Sequence, residues 1–135
     1  MLLPVASARD ADRTWSIAQV AAEFGVTHRT VRHYEDLGLI SPERHGTRRV
    51  FHRRDRTRLA LILRGKRLGF PLEEIRTIID LYDAPRGKTS QLEYAIAQAR
   101  IRRVDLEERR RDIDESLAEL AAFEASCQAD LDRLG

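Results

Sequence analysis

From Gln91 onward nothing interrupts a helix before Gly135, and every seventh residue along one line is apolar: Leu92, Ala99, Leu106, Ile113, Leu120, Cys127 and Leu134. Seven residues take close to two helical turns, so these side chains fall on one stripe. Positions four residues further on are mixed, with Ile96, Leu117 and Leu131 apolar and Arg103, Arg110 and Glu124 charged. About forty residues of helix extend roughly 60 Å at about 1.5 Å per residue. The rest of the chain has no second helical pattern of that length to cover the stripe. Pairing with another copy of the same helix is the simplest way to remove it from water. The plainer alternative is a helix that folds back on a small domain. Residues 91–132 are therefore expected to form a dimerisation helix, with Leu92, Ala99, Leu106, Ile113, Leu120 and Cys127 in its seam. Antiparallel pairing would set Arg102, Arg103, Arg109, Arg110 and Arg111 against Asp105, Glu107, Glu108, Asp112, Asp114 and Glu115.

A length of 135 residues leaves room for one compact domain beside that helix, not two. The longest apolar runs, such as Leu59 to Leu63, are far too short to cross a bilayer, so no membrane partner is expected. Met1 to Val5 are apolar but lack a basic flank, and Arg9, Asp10, Asp12 and Arg13 soon follow, so a secretory signal is not expected. The single cysteine, Cys127, excludes an intramolecular disulfide and any multi-cysteine metal or iron–sulfur site within one chain. A cytoplasmic location is the resulting expectation.

Charge is unevenly placed. Residues 27–67 hold twelve Lys/Arg against four acids, and all four histidines, whereas residue 84 onward has nine basic and eleven acidic residues. Eleven of the twelve cations are arginine, the better geometric match to phosphate, which points to a nucleic acid rather than a merely solvated basic face.

Residues 1–13 show no periodicity and are expected to be a mobile tail. Ser16 with Gln19 three residues later makes a capping box, flanked by Trp15 and Val20. The helix it opens is expected to end at Gly25. Thr27 caps a second helix, with Val26 and Val31 as its staple, that stops at Gly38. Leu39-Ile40 and Val50-Phe51 are β-prone pairs and predict a two-stranded hairpin with a long basic tip. Asp55 is expected to cap a third helix carrying Leu59, Ile62, Leu63 and Leu68. A fourth helix carries Leu72, Ile75, Ile78, Ile79 and Tyr82, with Pro71 in its first turn. Residues 84–90, with Pro85 and Gly87, are expected to be a linker.

Between Ile17 and Tyr34 the pattern is that of a helix-turn-helix. Ala21 is small enough for a close helix crossing, Gly25 follows four positions later for the turn, and Val31 sits six beyond the glycine to bury against the first helix. The second helix is expected to enter the major groove with Thr27, His28, Arg29, Arg32 and His33 towards the DNA, Ser16 joining them from the first helix. The hairpin tip, Arg44 to Arg49, then forms a wing able to hold the phosphate backbone beside the groove, with Arg48 and Arg49 as its expected DNA contacts. A helical hairpin of purely structural purpose is the competing reading.

Four runs carry a family resemblance: Ser16-Ile17-Ala18-Gln19-Val20-Ala21, Thr30-Val31-Arg32-His33-Tyr34-Glu35-Asp36-Leu37-Gly38-Leu39-Ile40, Arg49-Val50-Phe51 and Leu68-Gly69-Phe70-Pro71-Leu72-Glu73-Glu74-Ile75. In this order, over residues 14–83, the chain resembles the MerR family of bacterial transcriptional regulators, and its long helix is similar to that family's antiparallel dimerisation helix. The resemblance implies a mainly α fold: a winged helix-turn-helix DNA-binding domain over 14–83, a linker over 84–90 and an antiparallel coiled-coil helix over 91–132. It implies a homodimer on double-stranded promoter DNA, between elements set apart by an overlong spacer. Effector binding then bends and untwists the DNA, so RNA polymerase is reached indirectly, through the promoter. By position, Arg32 and Tyr34 match the family's backbone-contacting pair, and Arg49 its wing arginine. His33 stands where an aromatic is usual, Phe51 where tyrosine is usual, and Pro71 where a capping serine is customary. Residues 61–70 and 79–83 further resemble regulators of leucine/isovalerate and related acyl-CoA catabolism, which names a pathway rather than a ligand.

Neither a metal nor another cofactor is expected. Lys88-Thr89-Ser90 occupies the start of the long helix, where metal-sensing relatives place cysteine, and Cys127 has no second thiol nearby. With no stretch after residue 135 for a separate drug-binding domain, a small organic effector, if there is one, is expected between one subunit's long helix and the other's small domain. Catalysis is not expected either. His28 and His33 sit about 140° apart around a helix, and no nucleophile elbow or phosphate loop occurs. A dimeric, sequence-specific promoter regulator is the leading reading. An architectural or recombination-accessory DNA binder and a protein-interaction module are the alternatives.

Overall fold

The computed structural model describes residues 13–83 and 87–135. The expected tail, apart from Arg13, and residues 84–86 of the expected linker lie outside the described residues. Two compact units result, residues 13–94 and residues 95–135.

In the first unit, Ser16 opens α1 (Ile17–Phe24) with the expected reciprocal box. Its Oγ accepts from Gln19 N at 3.1 Å, and Gln19 Oε1 accepts from Ser16 N at 2.8 Å. Gly25 ends the helix at φ 65°, a left-handed conformation that returns its N–H to the carbonyls of Ala21 and Ala22. Thr27 opens α2 (His28–Asp36) by accepting from Thr30 N at 3.0 Å. Val20 and Ala21 of α1 and Val31 and Tyr34 of α2 are buried, so the expected helix-turn-helix contacts form.

The hairpin differs from expectation. Leu39 and Ile40 form no strand; they are core residues at 0 % and 1 % exposure. β1 (Glu43–His45) instead pairs antiparallel with β2 (Arg48–Val50), in the register Glu43↔Val50, Arg44↔Arg49 and His45↔Arg48. Pro42, which cannot donate to a ladder, separates the buried pair from β1. The tip is tight rather than long, because Gly46 at φ 64° lets the chain reverse over two residues. Phe51 leaves β2 to pair with Trp15, through Trp15 N to Phe51 O at 2.9 Å and Phe51 N to Trp15 O at 2.8 Å. The segment before α1 is thereby stitched to the base of the wing.

α3 (Arg53–Arg67) is capped by His52, not by Asp55. Asp55 sits three residues inside, where a carboxylate reaches back to the cap amide: Oδ2 accepts from His52 N at 2.9 Å, and Oδ1 from Ser41 N at 3.3 Å. Pro71 is the cap residue preceding α4 (Leu72–Tyr82), one step earlier than expected. Leu59, Leu61 and Ile62 of α3 and Ile75, Ile78 and Ile79 of α4 form the core with Phe51, Leu39 and Ile40.

α5 (Gly87–Leu134) is one helix of 48 residues. It begins inside the expected linker, because Lys88, Thr89 and Ser90 contain no helix breaker and Gln91 anchors the start. Gln91 is fully buried, and its Nε2 donates to the Ile78 carbonyl at 2.9 Å. The first turns of α5, to Tyr94, thus belong to the first unit. The second unit is the remainder of this helix. No helix among the described residues is long and apolar enough to cross a membrane.

Candidate nucleic-acid interface

α2 presents two opposite faces. At about 100° per residue, Arg29, Arg32 and His33 project away from the side that carries Val31. All three are exposed, as is His28, while Val31 is fully buried and Tyr34 is 7 % exposed. The apolar side is held against α1, so the cationic side has to face outward. No ion pair among the described residues engages Arg29 or Arg32. The Tyr34 ring lies 5.8 Å from that of His33, and burial pushes the Tyr34 hydroxyl above its ordinary pKa, keeping it neutral.

Ser16 and Thr27 serve first as helix caps. Both side-chain oxygens accept a backbone N–H, and Thr27 Oγ1 also lies 2.9 Å from Thr30 Oγ1. Their place at helix starts puts the positive ends of the α1 and α2 dipoles where a phosphate would be favoured.

On the wing the two expected arginines part company. Arg48 is exposed on β2 and makes no ion pair among the described residues. Arg49 Nε instead donates to Glu35 Oε2 at 2.6 Å, and Arg44 Nη2 to Glu35 Oε1 at 2.7 Å. Burial pushes the Glu35 pKa upward, but the hydrogen bonds and charges of Arg44 and Arg49 outweigh it and hold the carboxyl below its ordinary value. Glu43 also lies low, chiefly through its hydrogen bond with His52, Oε2 to Nε2 at 2.7 Å, and the charge of His45.

Several further arginines of the basic window work inside the fold. Arg56 Nε donates to Glu23 Oε2 at 2.9 Å, and its guanidinium stacks 5.2 Å from the Trp15 ring centre. Arg58 Nε donates to the Leu39 carbonyl at 2.7 Å and its Nη1 to Asp83 at 3.2 Å; Arg54 also bonds Asp83. Much of the positive charge counted in the sequence is therefore neutralised at home. Sequence reasoning gave Glu35 no role; the available signal was an acid at the end of the reading helix, ahead of an arginine-rich wing.

The expected seam residues of α5 are solvent-exposed in the single chain: Leu92 at 37 %, Leu106 at 55 %, Ile113 at 59 % and Leu120 at 63 %. Ala99 and Cys127 are exposed as well. Among the described residues, no group of three His, Cys, Asp or Glu side chains is placed to hold a metal ion.

The family model for "MerR HTH family regulatory protein" matches residues 15–81, and that for "MerR, DNA binding" matches residues 56–123. The chain belongs to the MerR family of DNA-binding transcriptional regulators. Among MerR relatives it is similar to the transcriptional regulator HmrR of Rhizobium leguminosarum bv. viciae, at 34 % identity over 91 residues, covering 67 % of this chain and 70 % of the relative. It is also similar to the transcriptional activator TipA of Streptomyces coelicolor, at 36 % identity over 103 residues, which is 64 % of this chain and 41 % of TipA. The chain thus spans less than half of TipA. A crystal structure of a MerR-family regulator from Bacillus cereus superposes with a TM-score of 0.62 at 28 % identity, covering 78 % of this chain and 76 % of that one.

Proposed function

We propose that this MerR-family chain acts as a homodimeric, sequence-specific regulator that binds a palindromic operator within a promoter and controls transcription by distorting the promoter DNA. The observation that carries the reading is the outward face of α2, where Arg29, Arg32 and His33 stand exposed, together with an exposed wing arginine, Arg48. In this reading α2 enters the major groove, Arg29 pairs with a guanine, and Arg32, His28 and Arg48 hold phosphates. Ser16 and Thr27 bring helix N-termini to the backbone, and Tyr34 supports α2 from within.

Two copies join through the exposed series Leu92, Ala99, Leu106, Ile113, Leu120 and Cys127, as an antiparallel coiled coil. Twofold symmetry then requires an inverted repeat in the DNA. RNA polymerase responds to the altered promoter rather than to this protein directly. A small organic metabolite is the proposed effector, supported by the likeness of residues 61–70 and 79–83 to regulators of acyl-CoA catabolism, and the protein would work in the cytoplasm.

Footprinting on genomic fragments selected by the purified protein tests the reading. Protection of one inverted repeat inside a promoter is the expected result. Dispersed protection would reassign the protein as an architectural DNA binder, and no protection at low salt would leave an interaction module.

A further inference from the structure

We propose that Glu35 sets the wing's share of DNA affinity and salt dependence, because its carboxylate holds Arg44 and Arg49 and withholds two wing cations from the DNA phosphates. The inference rests on the DNA-binding reading above and concerns the division of labour among its arginines.

Arg44 and Arg49 stand directly opposite each other across the β1–β2 ladder. Like charges in that position repel. Glu35 lies at the C-terminal end of α2 and gives each guanidinium its own oxygen, Oε1 to Arg44 at 2.7 Å and Oε2 to Arg49 at 2.6 Å. One carboxylate thereby joins the reading helix to both strands of the wing. The Arg49 and Glu35 side chains are each 16 % exposed, so the pair is well shielded from competing water and salt. Arg44, at 50 %, is the looser partner.

Phosphate contacts are blind to sequence. Each cation that neutralises a phosphate adds affinity for every duplex and steepens the salt dependence by about 0.9 in log–log slope. Two more free arginines on the wing would therefore raise binding to random DNA as much as binding to an operator. With both held on Glu35, Arg29 and Arg32 of α2 and Arg48 of the wing remain exposed. Discrimination then depends on side chains carried by the reading helix, while the wing keeps a fixed angle to it.

The test compares full-length wild type with Glu35→Gln on a selected operator fragment and on a random duplex, across a salt titration. The variant is expected to bind random DNA about three- to tenfold more tightly at low salt, with the slope steeper by about 0.9 to 1.8, and to tighten on the operator by a similar factor. A folded variant whose random-DNA slope is unchanged overturns the proposal. Arg44→Ala and Arg49→Ala in the otherwise unaltered chain read the same point without touching Glu35. Both are expected to leave the random-DNA slope as it is. A loss of about 0.9 in either would show that arginine already resting on a phosphate, and would overturn the proposal even if Glu35→Gln does not fold. A wild type that binds no duplex at all overturns the DNA-binding reading itself. The slope comparisons, made with binding intact, bear on Glu35 alone.

Discussion

Gly65 of α3 lies against Ile75 of α4 so closely that a Cβ built on the glycine would sit 2.8 Å from Ile75 Cγ1 and 3.0 Å from Cδ1. The two helices touch through the missing side chain, beside an apolar cleft lined by Leu61, Leu68, Phe70 and Ile78. Gly65→Ala gains about 1 kcal/mol of helix propensity. Against that stands an overpacking cost of about 1–3 kcal/mol at a core residue that is 1 % exposed. A net loss of about 1 kcal/mol is expected in urea unfolding. An unchanged midpoint would mean that Ile75 turns into the neighbouring cleft without cost.

Asp55 is 6 % exposed and satisfies two backbone amides from different segments, His52 N and Ser41 N. Asp55→Ala strands both donors and is expected to destabilise by about 2–3 kcal/mol. Asp55→Asn keeps one acceptor and should recover part of the loss. Equal losses in the two variants would show that the charge, rather than the two hydrogen bonds, is what matters.

The Glu35 clamp has a defined pH signature. Its folded pKa lies below the unfolded value, so the stability it contributes is fully present above the ordinary carboxylate range and disappears as pH falls through the lowered folded value. Wild type should therefore lose stability more steeply than Glu35→Gln as pH falls from the ordinary carboxylate range through the lowered folded value. Parallel acid limbs in the two unfolding series would contradict the clamp.

Arg29 and Arg32 share one face of α2, yet they are assigned different work. Arg29→Ala is expected to relax preference at one base pair by about 1–3 kcal/mol of discrimination. Arg32→Ala should weaken binding to all duplexes alike and reduce the salt slope by about 0.9. Gel-shift titrations on operators mutated one base pair at a time separate the two patterns, and an exchange of patterns would reverse the assignments.

Ile113 sits mid-way along the exposed apolar series of α5 at 59 % exposure in the single chain. Ile113→Asp places a charge in the proposed seam and should yield monomers in sedimentation, with operator binding lost. Dimers that survive the change would move the pairing surface elsewhere.

The elements readable in advance are those governed by near neighbours. Ser16 with Gln19, Thr27 with Thr30, and the stop at Gly25 all act within three or four residues, so the helix-turn-helix was legible as a local pattern. The hairpin was not. Leu39 and Ile40 read as strand by composition, but their burial in the core outweighed β-propensity, and the pairing passed to the polar residues beyond Pro42. Asp55 was noticed as a capping residue, but its position in the helix depended on a reach back to His52 that spacing alone left ambiguous.

What the amino-acid order determined by itself was the set of helices, the caps of α1 and α2, and the unbroken apolar series of α5, because backbone hydrogen bonds and side-chain periodicity act over a few residues. Only the tertiary structure decided which arginines remain open to a partner. Arg49 meets Glu35 across 14 residues, Arg54 meets Asp83 across 29, and Arg56 meets Glu23 across 33. Charge can be counted along a chain, but its neutralisation depends on distances of a few ångströms that exist only after distant segments have packed together.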